Sequence, residues 1–323
     1  MKTKSRKSPF HDSGYSWESA SAQLPPGAIM VGAHFSIEGG LDQACERAAA
    51  LKATAMQIFC RNHRRWLLAR LDDEEAAAFR AAVRARRIGF VAIHASYLVN
   101  IATADPVNYA RSVEKLSAEL EIARRIGADV LIAHPGSHLG CDTAEGIERV
   151  AHGCLRVFEA VRQGPKLLLE TTAGGGSMLG SSFEELAAIL EKAALPDRLG
   201  VCLDTCHIFA AGYDLRSEEA YARTMGALRR TVGIERVGMI HANDSLYDLG
   251  SRRDRHWHIG KGKIGPRGFR LLMRDARFAR LAKIIETPLT FEGSRMDDAN
   301  LRAIKHLARK EKNRKKRVNW REV

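Results

Sequence analysis

Six short apolar runs in this chain stop on a residue able to hold a metal ion. Val91-Ala92-Ile93-His94, Val130-Leu131-Ile132-Ala133-His134 and Leu167-Leu168-Leu169-Glu170 set the pattern. Val201-Cys202-Leu203-Asp204, Val237-Gly238-Met239-Ile240-His241 and Lys283-Ile284-Ile285-Glu286 repeat it. Runs of this length and composition suit strands buried on both faces. A core strand gains nothing from ending in His, Asp or Glu, and one such ending is easily a satisfied core group. Six in the same register call for a common cause. Parallel strands of a closed barrel bring their C-terminal ends to one mouth, where barrel enzymes keep their chemistry, so the pattern predicts a polynuclear metal site.

Ile29–His34 and Ala55–Phe59 bring the strand candidates to eight, each followed by a helical pattern. Asp105-Pro106 supplies a cap and a first-turn proline. Tyr109, Val113, Leu116, Leu120 and Ala123 then form one apolar face, and Gly127 suits the helix end. Ser182 with Glu185 is a capping box, and Ser217 with Glu218 and Glu219 starts another helix. Strands alternating with helices imply a parallel sheet. Eight units predict a single (β/α)8 TIM barrel, with an open doubly wound sheet as the competing architecture; 323 residues accommodate either.

The expected organisation is an N-terminal arm over 1–28, the barrel over 29–301 and a basic tail over 302–323. Of the net charge of +13, the tail carries ten Lys/Arg against two Glu and the arm four Lys/Arg against Asp12 and Glu18. Such a tail either meets phosphates in a salt-dependent way or is simply solvated. The six cysteines show no CxxC pair and no disulfide spacing, which fits reduced thiols in a cytoplasmic protein. No apolar run approaches the roughly 20 residues of a membrane span, and residues 1–27 hold no secretory apolar segment. A membrane partner is therefore not expected.

His and carboxylate donors without matching cysteines fit Zn2+, Mn2+ or Fe2+ better than a structural zinc–cysteine cluster. Asp204-Thr205-Cys206-His207 puts a carboxylate at a strand tip and an imidazole three residues on. Asp254 and His256 sit two apart in an unusually polar connection of about twenty residues, from His241 to Gly262; so long a loop in a compact domain is commonly functional. Glu170, Asp204 and Glu286 are the candidate bridging ligands, since a carboxylate can span two ions. A polynuclear site of this kind suits phosphodiester hydrolysis. Cys202 and Cys206 flank Asp204 as packing neighbours. His11, His63, His138, His152 and His306 fall outside the strand-tip pattern and are assigned ordinary packing or surface roles.

Longer strings sharpen the reading. Val31-Gly32-Ala33-His34, His94-Ala95-Ser96-Tyr97-Leu98-Val99-Asn100, His134-Pro135-Gly136-Ser137-His138, the stretch from Gly200 to Asp214, and His241-Ala242-Asn243-Asp244 resemble the endonuclease IV family of apurinic/apyrimidinic endonucleases. So do Ser251-Arg252-Arg253-Asp254-Arg255-His256 and Gly260-Lys261-Gly262-Lys263-Ile264-Gly265. The likeness covers roughly 29–290. It implies three Zn2+ ions per chain, with Mn2+ or Fe2+ able to take one position. His94, His134 and Glu170 would hold the first; Glu170, Asp204, His241 and Glu286 the second; His207, Asp254 and His256 the third. Glu170 and Glu286 would be the catalytic carboxylates. It further implies a monomer acting on double-stranded DNA. The phosphodiester 5′ to an abasic site would be cleaved to a 3′-hydroxyl and a 5′-deoxyribose phosphate, and 3′-blocking groups removed. Arg64, Tyr97 and Leu98 would fill the gap left by an extruded nucleotide, with His34, Lys261, Lys263 and nearby glycine amides on the DNA. The chain departs from the family at Thr171, where Asn usually follows Glu, and at Trp257-His258, which puts an extra imidazole near the third set.

Two other classes are open to a chain of this pattern. A metal-dependent sugar isomerase or epimerase of the xylose-isomerase-like class also uses Glu, Asp, His and Glu at strand tips, but leaves His94, His134, His207, Asp254 and His256 without a task. A non-catalytic nucleic-acid-binding protein would have no need of nine intact ligands.

Overall fold

In a computed structural model that describes residues 29–67 and 70–309, the chain forms β1 (Val31–His34), α1 (Leu41–Ala50), β2 (Ala55–Phe59), α2 (Asp73–Ala85), β3 (Val91–His94), α3 (Pro106–Ile126), β4 (Val130–Ala133) and α4 (Thr143–Ala160). It continues through β5 (Lys166–Glu170), α5 (Phe183–Ala193), β6 (Leu199–Asp204), α6 (Thr205–Ala211), α7 (Glu218–Thr231) and β7 (Val237–His241). A two-strand excursion, β8 (Asp244–Ser245) with β9 (His256–Trp257), precedes α8 (Gly265–Arg274) and β10 (Lys283–Ile285). A small hairpin, β11 (Thr290–Phe291) with β12 (Ser294–Arg295), leads into α9 (Asp297–Ala308). Strands β1 to β7 and β10 close into a parallel barrel, β10 pairing with both β7 and β1. The TIM barrel read from the sequence is the fold.

Local signals act where expected. The Asp105 side chain accepts from Val107 and Asn108 N–H, and Gly127 ends α3 in the left-handed region. Both bonds of the Ser182–Glu185 capping box form, and Ser217 caps α7. The last helix runs further than the expected barrel boundary at 301. Residues 302–308 continue α9, because Leu301, Ile304 and Leu307 share one buried face against the barrel. The arm expected at 1–28 and residues 310–323 of the basic tail lie outside the described residues.

Period-two alternation places the chemistry. Inside the barrel Ala55, Ala92, Ile132, Leu168, Cys202, Met239 and Ile284 pack on one another, with Gly32 at the same level of β1, while Val91, Ile93, Val201 and Leu203 face the helices. Two residues beyond each inner position comes the next inward-pointing side chain. That layer is His34, Gln57, His94, His134, Glu170, Asp204, His241 and Glu286, one from each barrel strand or its immediate end. The polar set is thus the top storey of the barrel, standing on an apolar floor. Two glycines let that floor close. A Cβ at Gly32 would lie 1.7 Å from the Ala55 carbonyl oxygen, and one at Gly238, in the register shift between β6 and β7, 2.8 Å from Leu168.

At the opposite end, ahead of β4, the Asp129 carboxylate accepts the Val91 N–H at 2.7 Å. Burial pushes its pKa up to about 7 against an ordinary 3.8, although the N–H bonds oppose the shift. The folded state therefore holds this proton more tightly than the unfolded chain does. Its contribution is complete below about pH 4 and is lost as pH rises to 7. Asp129→Asn is expected to remove that slope. Its stability relative to the parent should improve by up to roughly 3 kcal/mol between pH 4.5 and 7.5, read as urea midpoints; parallel profiles would refute it.

Candidate metal centre at the barrel mouth

The side chains of the top layer, together with the two following loops, sort into compact groups. His94, His134 and Glu170 form one; Glu170, Asp204, His241 and Glu286 a second; His207, Asp254 and His256 a third, with donor atoms inside 4.8 Å of one another. Glu170 joins the first two, one oxygen to each. Its Oε2 lies 3.1 Å from His94 Nε2 and 3.2 Å from His134 Nε2, and its Oε1 2.8 Å from His241 Nδ1. Asp204 stands between the second and third, with Oδ2 3.8 Å from His241 Nδ1 and 3.5 Å from His256 Nε2. Glu286 faces the second group alone, 3.3 Å from His241 Nδ1. In the third, His207 Nε2 is 3.1 Å from Asp254 Oδ1 and 3.3 Å from His256 Nε2.

Local structure explains the spacing of Asp204 and His207. Asp204 is the N-cap of α6, its Oδ1 accepting the His207 N–H at 2.9 Å, which leaves Oδ2 for the site. The long connection after β7 folds back so that Gly250 and Arg252 N–H reach the Phe209 and Ala210 carbonyls. That contact delivers Asp254 and His256 to His207.

The donor set fits divalent cations on two counts. Donors bonded at about 2.0–2.1 Å around a tetrahedral ion stand roughly 3.3 Å apart, and the distances above bracket that value. Four imidazoles also have their inactive nitrogen occupied. His94 Nδ1 donates to Ala95 O (2.7 Å), His207 Nδ1 to Thr171 O (2.7 Å), His256 Nδ1 to Glu286 O (3.2 Å) and His241 Nε2 to Gln57 Oε1 (2.7 Å). Each therefore turns a lone pair to the cluster, as metal-binding histidines do. Two facing imidazole lone pairs, as at His207 and His256, repel unless a cation sits between them. Electrostatics agree. Burial opposes charge throughout, yet the carboxylates lift His94 above its usual range and His207 well above it, and Cys202 together with Glu286 and Glu170 lifts His241 well above it. The histidines in turn hold Glu170 and Glu286 well below the usual carboxylate range.

Four supporting residues escaped the sequence reading as individual contributors. Gln57 is fully buried in the top layer and donates to Glu286 Oε1 at 2.6 Å besides accepting from His241. Asn243 donates to Asp204 Oδ2 (2.7 Å) and accepts the Glu286 N–H (2.7 Å). Thr171 accepts the Asp204 N–H through its hydroxyl (2.9 Å). Asp244 overturns one expectation. Its carboxylate takes the N–H groups of Gly260, Gly262 and Ile264 at 2.9, 3.0 and 2.9 Å, so those glycine amides are engaged within the protein, not left for phosphates. Lys261 lies over the Phe291 ring and Lys263 pairs with Asp248 at 3.2 Å. His258 is buried against Asn300 and joins no group. Cys206 does fall near Asp204 and His256, but burial pushes its thiol up to about 12, which disfavours the thiolate a metal requires.

The remaining sequence candidates ring the mouth. Tyr97 is 61% exposed and leans over the first group, its ring 5.3 Å from that of His94. Leu98 is half-buried beside it, and Arg64 is exposed on the β2–α2 loop. A cavity of about 180 Å3 opens here between His94, Tyr97, Asn100, His134, Ser137 and Met178. His34 accepts from Gln57 at Nδ1 (2.9 Å), and its Nε2 is buried without a partner. His63 stacks on Phe59 in an ordinary packing contact.

Residues 45–309 match the family model described as a xylose isomerase-like TIM barrel, the class that fold and strand-tip chemistry define. Within it the chain is 46% identical to a probable endonuclease 4 of Chloroflexus aggregans over 86% of its length and 97% of the relative's. It is 45% identical to that of Oleidesulfovibrio alaskensis, over 90% and 99%. Among solved structures, endonuclease IV from Thermus thermophilus superposes with a TM-score of 0.76 at 40% identity, covering 86% of this chain and 98% of that one. This chain belongs to the endonuclease IV family. A D-tagatose 3-epimerase-like protein, at 19% identity and a TM-score of 0.65 over 87% and 98% of the two chains, shares the fold. Among the described residues no helix is long and apolar enough to cross a membrane.

Proposed function

We propose that this protein is a DNA-repair endonuclease that hydrolyses the phosphodiester 5′ to abasic sites in duplex DNA and clears blocked 3′ ends, using three zinc ions. The observation that carries the reading is the third group. His207, Asp254 and His256 stand beyond the Glu–Asp–His–Glu set that a sugar epimerase would need, and Asp204 couples them to it. His94, His134 and Glu170 would hold one ion, Glu170, Asp204, His241 and Glu286 another, and His207, Asp254 and His256 the last. Bound zinc supplies Lewis acidity toward the phosphate and a nucleophile at neutral pH.

The protein's own part is placement. Glu170 and Asp204 fix the spacing of the three groups. Gln57, Thr171 and the Glu286 carbonyl fix which imidazole nitrogen faces inward. Arg64, Tyr97 and Leu98 fill the gap beside an extruded abasic nucleotide, with His34 Nε2 as a donor toward the substrate. Lys261 and Lys263 give a positive field at the rim. All nine ligands come from one chain, so the site works in a monomer. The test is incision of a duplex carrying one tetrahydrofuran abasic analogue. A nick at its 5′ side, leaving a 3′-hydroxyl, by protein holding close to three zinc ions is expected. Fewer than two ions per chain together with ketose epimerisation would replace this reading with the isomerase one.

A further inference from the structure

Helix α3 buries two charges that its barrel does not require. Lys115 and Glu119 are each 3% exposed, with Lys115 Nζ 3.4 Å from Glu119 Oε1. A buried pair of this kind is poor evidence for stability, since apolar residues of similar volume often serve as well. Its remaining bonds show another use. Lys115 Nζ donates to the Arg65 carbonyl at 2.8 Å and the Trp66 carbonyl at 3.5 Å, in the loop that carries Arg64. Glu119 Oε2 accepts the Ser96 N–H at 3.1 Å, in the loop that carries Tyr97 and Leu98. Ser96 Oγ closes the circuit by donating to the His63 carbonyl at 2.5 Å and accepting the Leu98 N–H at 3.2 Å. One turn earlier, Arg111 lies 4.4 Å over the Trp66 ring and Ser112 accepts the Asn100 N–H at 3.0 Å. A single face of α3 thus grips two irregular segments of the mouth by their backbones.

We propose that the Lys115–Glu119 pair is a positioning device that locks the Arg64 loop to the Tyr97–Leu98 loop, so that the surface reading a damaged duplex is set before DNA arrives. The inference rests on the proposed function for its consequence, though not for its geometry. Irregular loops expose backbone groups that would otherwise turn to water. Answering them with a buried ammonium and a buried carboxylate, which bond strongly to backbone groups, fixes both segments in one arrangement. Neither residue touches a metal group, so their effect belongs to substrate binding and not to the chemical step.

The experiment uses the zinc-loaded full chain and the double variant Lys115→Met/Glu119→Leu, which removes both charges together. Hydrogen exchange over residues 61–66 and 95–100 should quicken at least about tenfold while the barrel strands keep their protection. KM for the tetrahydrofuran duplex should rise about tenfold. Its kcat, and the hydrolysis of bis(p-nitrophenyl) phosphate, which is too small to reach the loops, should stay within about twofold. Should the double variant not fold, Glu119→Gln keeps the volume and an acceptor for Ser96, and the same split is expected at about threefold. Unchanged loop exchange overturns the inference, and so does a parallel fall in turnover of both substrates. Failure of the parent protein to nick the abasic duplex would remove the proposed function instead, leaving the exchange measurement to judge the pair.

Discussion

Glu170→Ala is expected to reduce incision of an abasic duplex by at least on the order of 10^3-fold and to lower bound zinc from about three ions per chain toward one. Glu170 Oε2 serves the His94–His134 group and Oε1 the His241 group. A single truncation therefore removes a donor from two sites at once. Charge stabilisation by a bound ion is worth several kcal/mol at the transition state, and each 1.36 kcal/mol is tenfold in rate. The loss should be mostly catalytic. Glu170 stands on Leu168, and the apolar floor formed with Ile132, Cys202 and Met239 remains intact beneath it. Removing a buried carboxylate also relieves the burial that opposes its charge. The His207–Asp254–His256 group makes no first contact through Glu170 except His207 Nδ1 at 3.4 Å, so one ion should stay. Unchanged metal content, or incision within tenfold of the parent, would sink this assignment; native circular dichroism is the control.

The barrel and most of its mouth were legible because both follow from one rule, alternation along a strand. A His or Glu two residues past an inward-facing Ile or Leu must also face inward, and eight strands leave it nowhere else to go. The same rule applies to Gln57, a polar residue at the inward position of Ala55–Phe59, but Gln57 does not end its run and so carries no strand-tip signal. Asp244 was illegible for a different reason. The amides it accepts lie 16 to 20 residues further on, and only loop closure shows that a carboxylate, and not a phosphate, fills that Gly-rich turn. Lys115 and Glu119 were hidden by the apolar stripe of Val113, Leu116 and Leu120 beside them, which reads as the whole buried face. The end of α9 is blurred in the sequence because basic residues crowd in from Arg302, although Ile304 and Leu307 continue the helical spacing of Leu301.

Stripping the metal should destabilise the protein more at pH 8.5 than at pH 6. A ligand that binds only the native state stabilises it by about 4 kcal/mol per site at a thousandfold excess over Kd. For a domain of this size 1 kcal/mol moves Tm by roughly 2–4 °C, so even one emptied site should lower Tm by about 10 °C. Protons blunt the loss at lower pH. In the metal-free fold the buried carboxylates, joined by Cys202 at His241, raise the pKa of His94, His207 and His241. Their protonated forms then stand in for the missing cations. Stability from a raised imidazole is complete below the ordinary 6.5 and disappears as pH climbs through the folded value. Stability from the depressed Glu170 and Glu286 is present above the ordinary 4.5 and lost only on acidification. Metal-free protein should therefore be most stable in mild acid, with the carboxylates ionised and the imidazoles charged, while zinc-loaded protein holds a flatter profile to pH 8.5. Differential scanning calorimetry of matched chelated and zinc-replete samples at the two pH values measures the gap. A gap that shrinks with rising pH would mean that the histidines and carboxylates at the mouth are not held together by shared positive charge.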